Sequence, residues 1–408
     1  MSSFIVEDDR RKPTTPMTDF IDYALLTWPE VAALPRTTPL CIPLGAGYSE
    51  RRLAEALDEP SSIGMLPVVP FGWRSSGLAV DDTVFGRLLR NLAASLRDDG
   101  FTSVYIITPQ GFDFDLGAER IALPHVGHVR PAAPLPIDDH RGKVVLIPVG
   151  HTEQHGHHLP LNTDTAIIDA ITTGVVEQAP SQCVALPVFP YGVSTHRSAF
   201  AGTLNAGGRA FEDFWIAVVD TLAARCFDRF YLVSGHGGNC SFLVNVVKYV
   251  GERHRRVFAA TAWLHTAGHC GAPAIAAHRL STIGGMGHAG ELETSMMLHL
   301  LPEAVHMEKV VDETDFVATP NYYMDWIEGG ALIANPPWDD DTATGAYGAG
   351  SLATAEHGRI WLEAAITEKV DHVAEIHEQH RRREERRNAG FGLWGAGAVS
   401  VPHDQPSS

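Results

Sequence analysis

A loop between residues 150 and 164 carries side chains that can bind a divalent metal ion. Among its histidines and carboxylates are Glu153, His155, His157, His158 and Asp164. Imidazole nitrogens and carboxylate oxygens are the ligands that zinc and similar divalent ions take in proteins. The loop follows the apolar run 144–147, which predicts a buried strand, and loops after such strands carry the sites of open α/β folds. We interpret it as half of a metal site; the alternative is a polar surface loop.

A second buried run, residues 230–234, leads into the glycine-rich loop 235–239. Glycines allow a tight turn there and leave His236 without bulky neighbours. The alternative is a phosphate-binding loop, but no Gly-Lys-Ser/Thr sequence follows it. The pattern favours His236 as a metal ligand, with Gly237 as a candidate substrate contact.

The stretch 287–298 predicts a turn that opens a helix. His288, Glu291 and Glu293 crowd the first turn, while Leu292 and Met296 begin an apolar stripe. The alternative is that one of the two glutamates is present only because the helix dipole stabilises a negative charge at the N-terminus of a helix. A histidine beside both carboxylates indicates a base or a further metal ligand.

Three other side chains are candidates for contact with a substrate. Ser194 and His196 follow another strand end, although His196 is nearly as well explained as an ordinary loop residue. Trp263 ends the last predicted strand and is either the floor of a pocket or part of the core.

The elements that position these residues alternate between strands and amphipathic helices. Strands are predicted at 144–149, 184–189, 229–234 and 257–263, and one helix is predicted at 211–224. This alternation indicates an α/β fold with a mostly parallel sheet flanked by helices. We expect disorder in residues 1–17, an N-terminal domain at 18–124, a linker at 125–142, a catalytic domain at 143–375 and a flexible tail at 376–408.

The sequence of the N-terminal domain resembles a degenerate copy of the catalytic domain. Residues 41–45 (CIPLG) match residues 146–150 (LIPVG), and residues 66–73 (LPVVPFGW) match residues 186–193 (LPVFPYGV). Where the later copy has metal-binding side chains, the earlier one has none. We predict a duplicated unit whose first half kept the scaffold and lost the chemistry; the alternative is that all strand–helix units look alike.

Composition limits the classes of partner. The net charge is −18, from 31 basic and 49 acidic residues, which argues against nucleic acid and anionic membranes. No apolar run is long enough for a membrane span, and the N-terminus does not have the pattern of a signal peptide. Five dispersed cysteines without CxxC spacing indicate reduced thiols, so a cytoplasmic location is expected.

Four stretches in the same order resemble the creatininase (creatinine amidohydrolase) family: 153–164, 196–203, 235–239 and 288–295. The resemblance covers about residues 140–375 and implies the family's α/β fold, two divalent metal ions and a homo-oligomer. It implies that Glu153 and His236 hold one ion, His155 holds the other and Asp164 bridges them. His288 would be the acid and base, and Ser194 would lie near the substrate.

The sequence departs from creatininase itself at Gly238, where creatininase has a metal-binding glutamate. Glu293 is the first candidate to replace that ligand, and Glu291 is the second, or else a catalytic carboxylate. The aromatic residue that creatininase has shortly before the histidine equivalent to His288 is also missing. These differences argue against creatinine as the substrate.

The resulting hypothesis is a hydrolase that cleaves a carbon–nitrogen bond, other than a peptide bond, in a small amide, cyclic amides included. Water activated by two divalent ions (zinc, manganese or iron) would attack the amide carbon. One alternative is a metallopeptidase or deformylase acting on a short modified peptide or a formamide. Another is a non-catalytic, metal-dependent assembly protein.

Overall fold

The computed structural model describes residues 18–112, 119–124, 135–136, 138–195, 199–263, 268–322, 325–327 and 330–390. The strands in these ranges are β1 (Asp19–Asp22), β2 (Leu40–Pro43), β3 (Ser62–Met65), β4 (Val104–Pro109), β5 (Arg120–Leu123), β6 (Val144–Val149), β7 (Cys183–Ala185), β8 (Arg229–Ser234) and β9 (Phe258–Thr261). The α-helices are α1 (Trp28–Ala33), α2 (Glu50–Ala56), α3 (Asp82–Asp98), α4 (Thr163–Gln178), α5 (Gly208–Ala224), α6 (Gly237–Arg253), α7 (Gly271–His278), α8 (Glu291–Leu300) and α9 (Ala355–Asn388).

Strands β6–β9 form a parallel sheet in the order β7-β6-β8-β9, which confirms the α/β prediction. Strand β6 is buried along its whole length because helices cover both faces of the sheet. From β6 the chain first adds β7 on one side and then crosses to add β8 on the other. This switch point, between the carboxyl ends of β6 and β8, is where α/β sheets place their ligands.

The N-terminal sheet, β1-β3-β2-β4-β5, is also parallel and contains the same arrangement. Its four strands β3-β2-β4-β5 follow the connectivity of β7-β6-β8-β9. Equivalent backbone bonds recur: the Leu66 N–H donates to the Cys41 carbonyl and the Leu186 N–H to the Leu146 carbonyl, both at 2.9 Å. The shared arrangement fits the predicted copy, while the duplication itself stays a prediction.

The two units pack through equivalent elements, with α3 lying against α5. Aromatic rings from both units fill the space between them. The Phe71 ring lies 5.5 Å from that of Phe189 and 6.2 Å from that of Phe214, measured between centroids. One hydrophobic core therefore includes side chains from both sheets.

Helix α9 shows that the predicted start of the flexible tail at residue 376 is wrong. The helix continues to Asn388, and charged pairs on its surface, such as Arg381 with Glu378 at 2.7 Å, support the extra turns. Residues 391–408, like 125–134 and 137 of the predicted linker, lie outside the described residues. Two strands are shorter than predicted, and β7 ends at Ala185 just before Pro187.

The described helices include none that is long and apolar enough to cross a membrane.

Candidate metal centre

The loops after β6 and β8 meet at the switch point of the C-terminal sheet. Gly235 allows this approach, because a Cβ atom there would lie 2.1 Å from the backbone oxygen of Asp164. Asp164 occupies the first turn of α4, where the helix dipole favours its negative charge. The sequence thus brings His236 from one loop beside Asp164 from the other.

Asp164 connects two sets of ligand-type atoms. Its Oδ1 lies 3.1 Å from His155 Nε2, and its Oδ2 lies 3.3 Å from His236 Nδ1. Glu153 Oε1 is 3.0 Å from the same His236 nitrogen. The geometry therefore has one set around Glu153 and His236, a second around His155, and a carboxylate between them.

Backbone carbonyls fix which ring nitrogen each of three histidines turns to the carboxylates. A carbonyl can only accept, so His155 Nδ1 donates to the Glu153 carbonyl at 3.1 Å and His236 Nε2 donates to the Val193 carbonyl at 2.9 Å. His288 Nε2 donates to the Gln154 carbonyl at 2.7 Å. The opposite nitrogen of each neutral ring then carries its lone pair toward the carboxylates, as metal-binding histidines do.

The start of α8 adds Glu293 to the second set. Its Oε2 lies 3.8 Å from His155 Nε2 and 3.9 Å from His288 Nδ1, and it accepts the Ala289 N–H at 2.6 Å. Ala289 has a φ of +53°, a left-handed conformation that is unfavourable for a residue with a Cβ atom. This strained turn places His288 and Glu293 on the same side of the loop.

The donor set suits divalent cations. Three carboxylates and four imidazoles that are fully or almost fully buried form overlapping groups, and within each group the ligand atoms lie within 4.8 Å of one another. Burial opposes charge on His155 and Asp164, yet their mutual attraction raises the pKa of the imidazole and lowers the pKa of the carboxyl group. Such a concentration of buried carboxylates calls for positive charge, which bound divalent ions would supply with release of protons.

Glu291 lies outside this group, in contrast to Glu293. Its carboxylate accepts the backbone N–H groups of Leu280 and Ser281 at 2.9 and 2.8 Å. It therefore anchors the segment that precedes the Gly-rich turn before His288. Of the two glutamates weighed as the replacement ligand, the structure brings only Glu293 to the metal-type side chains.

The candidate substrate contacts are placed around His236. Ser194 is buried and directly follows Val193, the residue that holds the His236 ring. Gly237 faces Trp326, since a Cβ atom at this glycine would lie 2.9 Å from the indole. Trp263 is 44% exposed and packs edge-on against Trp326, with centroids 6.0 Å apart. It is therefore not a core residue.

His196 lies outside the described residues. Two other histidines of the first loop point away from the centre. His157 packs against Trp28, with centroids 5.3 Å apart. His158 lies 3.0 Å from Thr294 Oγ1, and burial together with nearby His155 lowers the pKa of His158 to about 4.

Sequence reasoning missed three residues near the centre. His151 is fully buried beside Glu153, and its spacing of two residues from Glu153 in an extended loop was a usable signal. Trp338 packs edge-on against His288 with centroids 5.0 Å apart, and Trp326 covers Gly237. Both tryptophans come from an irregular segment in which no pattern indicated their position.

Comparisons with known proteins show which families of enzymes the chain resembles. A mycofactocin precursor peptide peptidase from Mycobacterium ulcerans (strain Agy99) is 31% identical over 238 residues, which are 56% of this chain and 84% of the relative. Creatinine amidohydrolase from Pseudomonas putida is 27% identical over 248 residues, which are 57% of this chain and 89% of the relative. A crystal structure of creatinine amidohydrolase (creatininase) shares the fold, with a TM-score of 0.50 and 24% identity over 58% of this chain and 92% of that chain.

The model of the creatininase family, described as creatinine amidohydrolase, matches residues 136–373, more than half of the 408 residues. That range contains both loops of the candidate centre and the start of α8. The chain belongs to the creatininase family.

Proposed function

We propose that this protein hydrolyses an amide carbon–nitrogen bond with the help of two divalent ions. The observation that carries the proposal is the position of Asp164, with one carboxylate oxygen at His155 and the other at His236. Glu153 and His236 would hold one ion, and His155 and Glu293 the other. Bound divalent ions acidify water and polarise a carbonyl oxygen, and both effects promote attack of water on an amide carbon.

His288 is the proton carrier in this proposal. Its Nε2–H is committed to the Gln154 carbonyl, so Nδ1 is the atom that can take up and release a proton. Nδ1 lies 3.6 Å from Glu153 Oε1, within reach of groups held at the centre. An imidazole, with an ordinary pKa near 6.5, can accept a proton from water and deliver it to the leaving nitrogen near neutral pH.

A short peptide is the substrate class that we favour. The relative with the higher identity is a peptide peptidase by name. The half-exposed Trp263, with Trp326 beside it over Gly237, provides aromatic surface outside the buried donors, suitable for side chains of an extended substrate. The second candidate is a small cyclic amide, supported by the relative that is a creatinine amidohydrolase.

The test uses the full chain loaded with zinc or with manganese. Short peptides, formamides and lactams are incubated with it, and products are identified by mass spectrometry. Shortened peptides would support the first substrate class, and opened rings would support the second. A protein that carries two ions and cleaves no member of the panel would contradict hydrolysis and favour the non-catalytic, metal-dependent alternative.

A further inference from the structure

His151 is a buried histidine of the centre whose role differs from that of the other three. Its Nε2 lies 3.7 Å from Glu153 Oε2, and its ring centroid is 4.4 Å from that of His236. By distance alone it forms a possible metal-binding group with these two residues. Distance does not show which of its nitrogens carries the proton.

The backbone around His151 answers that question. The Gly192 N–H donates to His151 Nδ1 at 2.9 Å, so Nδ1 is the acceptor and cannot carry a proton. A neutral imidazole has one N–H, and here it must be on Nε2, the nitrogen that faces Glu153. This is the reverse of His155, His236 and His288, which each donate to a carbonyl.

We propose that His151 is a positioning residue that directs its Nε2–H at Glu153 Oε2 and does not bind an ion. Glu153 Oε1, 3.0 Å from His236 Nδ1, is then the oxygen presented to the ion. At 3.7 Å the contact between His151 Nε2 and Glu153 Oε2 is longer than a hydrogen bond, so the Nε2–H acts on the carboxylate through its dipole. Groups that orient a ligating carboxylate from outside the ligand set change metal affinity. The inference rests on the proposed function only for the presence of the ions.

The contacts of His151 hold its ring in one orientation. Thr165 Oγ1 donates to the His151 carbonyl at 3.0 Å, which ties the loop to the first turn of α4. Gly192 is fixed in turn, because its carbonyl accepts the Ala206 N–H at 2.9 Å and a Cβ atom there would lie 2.3 Å from Asn239 Oδ1. The donor to Nδ1 is therefore rigid.

The test compares His151→Ala and His151→Gln with the wild-type chain. A glutamine amide can supply an N–H where Nε2 stands, whereas alanine cannot. Dissociation constants for Zn²⁺ are measured by competition with a chromophoric chelator, and absorption spectra of the Co²⁺-loaded proteins report the coordination directly. His157→Ala is the matched control, because His157 belongs to the same loop and packs on Trp28 instead.

We expect His151→Ala to weaken binding of one ion about 10–100-fold while the number of ions and the Co²⁺ bands are retained. His151→Gln should restore most of the affinity, and His157→Ala should leave it unchanged. Loss of one ion with altered Co²⁺ bands in both His151 variants would show that His151 is a ligand and overturn the inference. Unchanged affinity in His151→Ala would overturn it as well.

Failure of the proposed hydrolysis gives a different result. A wild-type chain that binds two ions, responds to the His151 variants as expected and cleaves nothing would leave this inference standing. A wild-type chain that binds no ion would overturn both.

Discussion

The two sheets of this protein present the same scaffold with different loops. In each sheet, the residue that follows a Leu-Pro-Val sequence accepts a hydrogen bond from the glycine just after the central strand. The Gly45 N–H donates to the Val69 carbonyl at 3.0 Å, and the Gly150 N–H donates to the Phe189 carbonyl at 2.9 Å. Beyond these glycines the sequences diverge. Tyr48 stands at the position equivalent to Glu153, where a carboxylate is replaced by a phenol.

That difference shows that the fold does not depend on the metal-type side chains. In the N-terminal loop, the Tyr48 hydroxyl donates to the Leu44 carbonyl at 2.6 Å, a local bond that satisfies the chain without an ion. The C-terminal loop instead concentrates carboxylates and imidazoles in a buried space, which is unfavourable for stability unless cations bind. The donors are therefore best explained by function.

The N-terminal unit supports the loops that carry the donors. The Leu161 and Asn162 N–H groups, just before α4, donate to the carbonyls of Leu26 and Ala24 at 2.9 and 3.0 Å. On the other side, Asp99, at the C-terminal end of α3, accepts the Gly202 N–H at 2.8 Å. Through these hydrogen bonds, the N-terminal unit, which lacks the metal-type side chains, supports the C-terminal loops that carry them.

The strongest contrast is expected at His236 and its N-terminal equivalent, Gln110. His236→Ala removes a ligand from one set and should lower metal affinity and hydrolysis more than about 100-fold. Gln110→Ala, the matched control, should stay within about twofold of wild type. Both are measured by chelator competition and by turnover. Equal effects of the two substitutions would contradict the proposal that only the C-terminal loop binds metal.

His288→Asn separates proton transfer from metal binding. We expect kcat to fall about 10²–10⁴-fold, because a positioned acid and base is lost, while two ions per chain remain. The number of ions is read by elemental analysis beside the kinetic assay. A variant that loses an ion would show that His288 Nδ1 is a ligand instead.

Much of this centre could be predicted from the sequence, for physical reasons. The apolar runs that became β6 and β8 were unambiguous, and parallel neighbours must bring their carboxyl ends to one edge. The sequence could not show whether Glu291 or Glu293 faces the metal-type side chains. Residues two apart on a helix are rotated by about 200° around its axis, so only one of the two can do so. Only the docking of α8 decides which one faces His155.

The other gaps have equally physical causes. The role of His151 could not be predicted because it depends on a hydrogen bond from Gly192, which is distant in sequence and becomes its neighbour only in the folded protein. Trp326 and Trp338 lie in a segment without periodicity, so its course depends on tertiary contacts such as the Asp325 carboxylate, which accepts the Gly284 N–H at 2.8 Å.

Asp99→Asn tests the support that the N-terminal unit gives. Burial raises the pKa of Asp99 to about 6, although the Gly202 N–H and Arg36 oppose this change. Because the folded pKa exceeds the unfolded value near 3.9, the folded state holds the proton more tightly, and stability falls as pH rises from about 4 to about 6. The asparagine variant should lack this decrease of roughly 1–3 kcal/mol.

Urea unfolding of both proteins at pH 4.5 and pH 7 measures the effect, and the difference between the proteins removes the contribution of other groups. Identical pH dependence in the two proteins would exclude Asp99 as its source.

The smallest effect is expected at Tyr48. Tyr48→Phe removes the hydrogen bond to Leu44 and should lower the free energy of unfolding by about 1 kcal/mol without changing metal content. Glu153→Gln at the equivalent position should reduce metal binding strongly. Elemental analysis and chemical denaturation of both variants provide the comparison, and any loss of metal from Tyr48→Phe would contradict the assignment of the ions to the C-terminal unit.

The central proposal is that Asp164 would help to hold two divalent ions at the edge of the C-terminal sheet. Its most direct test is the metal content per chain of the wild type and of Asp164→Asn, both purified without chelator and analysed side by side. We predict about two ions per chain in the wild type and one or fewer in the variant, because both sets of donors share this carboxylate. No ions in the wild type, or a number that does not change in Asp164→Asn, would contradict the account.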